Sequence, residues 1–162
     1  MKILITYYSF TGNTKKVAQA LEKFLKDRGN DIDIQRLLPE NESRNFFIQA
    51  KQALLKADVS LKPPVIFDLS GYDLIFVGSP VWAFSPAPAV RKYLKSVKGC
   101  ENKKFFVFVT YGSGTGRFRC LKQMERLIKD RGGKVVGRLD ISDKRVRDSG
   151  YLSKLYEENI VL

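Results

Sequence analysis

Apolar runs of strand length alternate along this chain with stretches in which apolar residues recur every three or four positions. The first run, KILITYY at 2–8, is a continuous apolar block rich in β-branched and aromatic residues, which predicts a strand buried on both faces. From Thr14 to Arg28, Val17, Leu21, Phe24 and Leu25 fall at helical spacing, and Gly29 marks the stop. DIDIQRL at 31–37 alternates as a sheet strand does, and NESRNFFIQAKQALLKA supplies a second helix before the Pro63-Pro64 turn. YDLIFVG (72–78), KKFFVFVTYG (103–112) and GKVVGRLDI (133–141) predict three more strands. Helices are expected from Pro86 to Val97, Arg117 to Arg131 and Tyr151 to Ile160. Five β–α units in series predict an α/β fold, a five-stranded parallel sheet between two helical layers, in a single domain spanning 1–162.

In such sheets ligands gather beyond the carboxyl ends of the strands. The loops there read SFTGNT, SPVWAFSP and YGSGTGRF. The first leads into a helix, whose free N–H groups and dipole attract an anion; Ser9, Thr11 and Thr14 offer hydroxyls, Asn13 an amide, and Gly12 a permissive backbone. A polar helix cap and turn is the plainer reading of the same residues. Neither GxxxxGK[ST] nor GxGxxG occurs in that loop. In the second, Trp82 lies between Pro80 and Pro86, as though displayed by a stiffened loop, and Ser85-Pro86 reads as the N-cap and first residue of the next helix. A displayed indole beside an anion site suggests stacking on a flat aromatic ligand; a rim tryptophan packed against its own loop is the alternative. The third is glycine-rich, with Tyr111 or Phe118 placed to cover a ring.

Composition narrows the chemistry. With 44% hydrophobic and 12% aromatic residues the chain is expected to fold around a packed core. No histidine is present, which removes Ser/His and Cys/His nucleophile pairs and shifts any redox or transfer chemistry onto a bound cofactor. Cys100 and Cys120 lack ligand spacing and read as buried thiols of a reducing cytoplasm; MKILITYY lacks the length and cleavage site of a signal peptide, so a cytoplasmic location is expected. No apolar run reaches the ~20 residues that span a bilayer, and no membrane role is expected. The net charge of +12 is uneven: residues 1–83 carry 11 Lys and Arg against 9 Asp and Glu, residues 84–162 carry 18 against 8. One side of the molecule is thus expected to meet something acidic.

YYSFTGNT followed by YDLIFVGSPVWAFSPAPAV resembles the flavodoxin family, and the order of elements matches it over essentially the whole chain. The resemblance implies a sheet of strand order 2-1-3-4-5, flavin mononucleotide (FMN) as cofactor, and electron transfer as the activity, with an NAD(P)H-dependent quinone or flavin oxidoreductase as the alternative. It implies that Ser9, Thr11, Gly12, Asn13 and Thr14 hold the phosphate. It places Pro80, Val81, Trp82 and Ala83 along the ribityl chain and ring, and Tyr111, Gly112, Ser113 and Gly114 at the ring edge. It implies no catalytic side chain and no metal. The acidic glycine–aspartate loop of electron-carrying flavodoxins is missing; Arg117 and Arg119 follow the third loop instead, which predicts a flavin easier to reduce than in an acidic flavodoxin. Arg119, Lys122, Arg126 and Lys129 share one helix face. An acidic redox protein or an anionic small-molecule substrate is therefore expected near Arg117, Arg119, Lys122 and Arg126. No groove-reading motif supports nucleic acid. Pro39 to Pro64, with Phe46 and Phe47, reads as a lid, a dimer interface or an ordinary crossover helix.

Overall fold

The computed structural model describes residues 1–40 and 59–161. Among them, strands β1 (Lys2–Tyr7), β2 (Asp31–Arg36), β3 (Leu74–Trp82), β5 (Lys104–Tyr111) and β6 (Lys134–Ser142) form a parallel sheet of order β2-β1-β3-β5-β6. A two-residue strand β4 (Ser85–Pro86) folds back antiparallel on β3. Setting β4 aside, the order is the expected 2-1-3-4-5. The helices are α1 (Asn13–Lys26), α2 (Pro88–Ser96), α3 (Arg117–Lys129) and α4 (Ser149–Asn159). The helix expected over residues 41–57, with Phe46 and Phe47, lies outside the described residues.

Side-chain alternation along the strands divides the core in two. Leu4 of β1, Ile75 and Val77 of β3, and Phe105, Val107 and Val109 of β5 face the side covered by α2 and α3. Ile3 and Ile5, Leu74 and Phe76, and Phe106 and Phe108 face the side covered by α1 and α4. This double burial is why the strands read as unbroken apolar runs. Within the layer of α1 and α4, the buried Tyr156 hydroxyl of α4 donates to the Val17 carbonyl of α1 at 3.0 Å.

Two boundaries differ from expectation, and both shape the loops. Strand β3 runs on to Trp82, so Pro80, Val81 and Trp82 are strand and not loop. Helix α2 begins at Pro88, capped by Ala87, so Ser85 and Pro86 are neither its N-cap nor its first residue. The cause is pairing: Val81 registers with Pro86 and Trp82 with Ser85, which turns the segment into a hairpin. The Ser79 hydroxyl then accepts from Ala87 N at 2.9 Å and serves the helix start from the strand.

Candidate functional site

At the carboxyl edge of β1 the chain turns through Ser9–Gly12 into α1. Gly12 occupies the N-cap position at φ 89°, where a side chain would be strained, and open space lies where its β-carbon would sit. No side chain caps α1 and no acid lies in its first turn, so its leading N–H groups remain available. Ser9 is 1% exposed, and its Oγ has no hydrogen-bond partner among the described residues. An orphaned buried hydroxyl at an uncapped helix start is costly unless a ligand completes it. Arg36 from β2 donates to the Ser9 carbonyl at 2.7 Å and brings a cation beside the loop. Thr11 is exposed, Gly12 and Asn13 are half-buried, and Thr14 is buried with its Oγ1 2.9 Å from Thr110 Oγ1 of β5. The Thr14 hydroxyl therefore also ties α1 to the sheet.

The hairpin at the end of β3 corrects the expectation for Trp82. Its ring is buried, 8% exposed, and meets Tyr8 and Phe10 edge-on at 5.4 and 6.0 Å between centroids. The indole is packed, and the displayed aromatic is Phe84, 46% exposed at the hairpin tip. Ala83 and Phe84 have φ of 45° and 66°, a turn geometry that favours Asn-Gly. Each residue so held costs roughly 1–2 kcal/mol, a strain that the surroundings must sustain. Gln123 of α3 donates to the Phe84 carbonyl at 3.2 Å, and the Phe84 ring occupies the space that a β-carbon on Gly116 would need.

The third loop is closed by its own arginine. Arg117 Nη1 donates to the Gly114 carbonyl at 2.9 Å, and the guanidinium lies 4.3 Å from the Phe118 ring centroid and 5.3 Å from that of Tyr111. Its Nε is 2.8 Å from Asp140 Oδ2. The charge expected to face the ligand freely is thus matched by a carboxylate from β6, and only Arg119 keeps its expected exposed position. Tyr111 is half-buried; burial, with Asp140 adding to it, pushes its phenol above the ordinary range. Gly112 and Ser113 are exposed and Gly114 half-buried.

Asp143 also enters, from the turn after β6. Its N–H donates to the Tyr111 carbonyl at 2.8 Å, and its carboxyl is hydrogen-bonded by Asn13 of the first loop. Burial raises its pKa above the usual carboxylate value, and the Asn13 contact opposes that shift. None of the three loops contains an acid, yet the sheet delivers Asp140 and Asp143 to two of them. Their signal was their place at the end of the last strand, on the same edge as the loops.

Burial pushes the Cys120 thiol up to about 12 and raises that of Cys100. No group of three or more potential metal ligands occurs among the described residues. None of the described helices is long and apolar enough to cross a membrane.

The family model described as Flavodoxin matches residues 2–143. An NAD(P)H dehydrogenase (quinone) from Acidovorax ebreus is 33% identical over 79 residues, 49% of this chain and 38% of that protein. The chain thus spans less than two fifths of the length of the curated relatives it matches. A flavoprotein from Lactobacillus acidophilus, solved in complex with FMN, superposes with a TM-score of 0.63 at 23% identity, covering 92% of this chain and 98% of that one. Oxidised flavodoxin 2 from Bacillus cereus superposes with a TM-score of 0.62 at 21% identity, covering 98% and 99%.

Proposed function

The chain belongs to the flavodoxin family, and on that premise we propose that it binds FMN and acts in electron transfer. The observation that carries this reading is the buried Ser9 Oγ without a partner at the uncapped start of α1. A phosphate there would accept from Ser9, Thr11, the Asn13 amide and the leading N–H groups, with Arg36 beside the loop. Thr14 would add its hydroxyl through the pair with Thr110. Pro80, Val81, Trp82 and Ala83 would line the ribityl chain and ring; Trp82, fixed by Tyr8 and Phe10, would present an edge that does not move on binding. Tyr111, Gly112, Ser113 and Gly114, clasped by Arg117, would bound the ring's outer edge. The flavin, when bound, supplies reversible one- and two-electron chemistry that no side chain of this protein offers. The protein's part is to seat it and to set the charge around it.

That charge includes Asp143. A folded-state pKa raised by burial means that the ionised carboxylate costs stability at neutral pH, a cost relieved as pH falls through that pKa. A dianion seated nearby adds repulsion of up to about 2 kcal/mol for each of its charges, at roughly 8 Å and an effective dielectric of ~20. With solvent screening taking away most of that repulsion, Asp143→Asn, which keeps a hydrogen-bonding partner for Asn13, is expected to tighten FMN binding at pH 7 by about tenfold. The ratio to wild type should shrink as pH is lowered into the carboxylate range. Fluorescence titrations of both proteins at several pH values check this; an unchanged ratio sets Asp143 apart from the site.

The second reading, an NAD(P)H-dependent quinone or flavin oxidoreductase, is favoured by the likeness to NAD(P)H dehydrogenases (quinone) over half of this chain. One experiment separates the two. The FMN-loaded protein is mixed with NADPH and a soluble quinone and no other protein, and absorbance at the NADPH band is followed. No steady consumption is expected for the carrier; sustained turnover selects the reductase, and failure to retain FMN at all rejects both.

A further inference from the structure

Between α2 and α3, beneath the hairpin tip, lies a groove of about 680 Å³. Its walls are Arg91 and Lys95 from α2, and Arg119, Gln123, Arg126 and Leu127 from one face of α3. The tip closes one end with Phe84, and Asp130 is the one acid in the lining. Four cations thus face a single carboxylate in a concave space. Arg91 is only 9% exposed, and burial lowers its pKa below the ordinary arginine value. Lys95, Arg119 and Arg126 make no ion pair among the described residues. Like charges at helical spacing destabilise each other by a few tenths of a kcal/mol per pair, and here they are concentrated instead of dispersed.

We infer that this groove is a second ligand site, separate from the phosphate loop, and that it takes a nucleotide: phosphates on the Arg91, Lys95, Arg119 and Arg126 cluster, the flat base on Phe84. Several features together select this class. The volume lies within the range of small-molecule sites. Guanidinium groups match phosphate oxygens in paired geometry. The aromatic surface is already held in a strained, exposed turn, where strain is commonly functional. An acidic protein surface would meet the exposed cations but leave the concavity unfilled. The inference goes beyond the FMN reading, because the groove shares with the candidate flavin site only the hairpin residue Ala83.

The test is calorimetric titration of the FMN-saturated protein with ADP, pyrophosphate and adenosine. ADP is expected to bind, pyrophosphate more weakly, and adenosine not measurably. Lys95→Glu/Arg126→Glu is expected to weaken ADP binding by about 100-fold or more, at one charged hydrogen bond lost per substitution. Lys122→Glu/Lys129→Glu makes the same change in net charge on exposed positions outside the groove. It is expected to weaken ADP binding less than about threefold, the residue of long-range screening. Equal losses in the two variants would reduce the effect to net charge and overturn the inference. So would silence toward ADP, or capture of a polyglutamate peptide in its place, lost in Lys95→Glu/Arg126→Glu. A parallel FMN titration keeps the outcomes apart: failure at the groove leaves the flavin reading standing, and failure to load FMN leaves ADP binding to be measured on the same protein.

Discussion

Ser9→Ala is expected to weaken FMN binding by about 10- to 150-fold while leaving the unliganded protein as stable as wild type or up to about 2 kcal/mol more stable. The two effects have opposite signs because they have one cause. Ser9 Oγ is buried and lacks a partner among the described residues, so in the empty protein it carries a desolvation cost without a compensating bond. With a phosphate in place the same hydroxyl makes a charge-assisted hydrogen bond. Removing the oxygen relieves the first and forfeits the second. A serine kept only to cap or turn the chain would show the reverse, with stability falling and affinity unmoved. Thermal unfolding of the flavin-free proteins and fluorescence titration of both with FMN measure the two signs independently.

Gly116→Ala is expected to destabilise the protein by about 2–5 kcal/mol, from left-handed strain and overpacking together. Gly116 caps α3 at φ 82°, and an added β-carbon would collide with Phe84 Cδ1 and come within 2.9 Å of Phe84 Cα. The hairpin cannot yield cheaply, since its turn is already strained and its carbonyl is held by Gln123. Gly12→Ala is the matched control: it has the same backbone conformation at φ 89° but open space around the added atom. It should cost only the strain, roughly 1–2 kcal/mol. Displacement of the tip also loosens Trp82, two residues away and the chain's one tryptophan. Gly116→Ala should therefore shift Trp82 emission to longer wavelength, where Gly12→Ala leaves it unchanged. Equal destabilisation by the two substitutions would show that the hairpin does not lean on α3.

Strands β1, β3 and β5 are legible because burial on both faces leaves an apolar run in each, and β2 by its alternation; the strand order follows from the resemblance to the flavodoxin family. The place of the first loop between β1 and α1 is legible as well, from the polar residues and glycine that separate the apolar run from the helical one. The second loop departs from its sequence signals at five positions: Pro80, Val81 and Trp82 are strand, and Ser85 and Pro86 do not start the helix. Pro80 and Pro86 suggested a stiffened loop, but Val81 and Trp82 pair across to Pro86 and Ser85. That pairing turns Trp82 inward onto Tyr8 and Phe10 and leaves Phe84 outside. Nothing in Ala83-Phe84 announces a left-handed turn, because the usual Asn-Gly signal is absent. The electrostatics escape the sequence for a different reason. Arg117 has no acid among its sequence neighbours, whereas its partner Asp140 is contributed by β6, the strand beside β5. Parallel sheets bring such distant residues to one edge, and single-sequence spacing does not record it.

If the start of α1 and the loop before it hold a phosphate, FMN and riboflavin must differ in affinity. Riboflavin keeps the ring and ribityl chain and lacks only the dianion. Titrated against the flavin-free protein, FMN is expected to bind at least about 100-fold more tightly, the worth of two or more charge-assisted hydrogen bonds. Equal affinities for the two flavins would contradict the account, because the first loop would then contribute nothing that the ring does not.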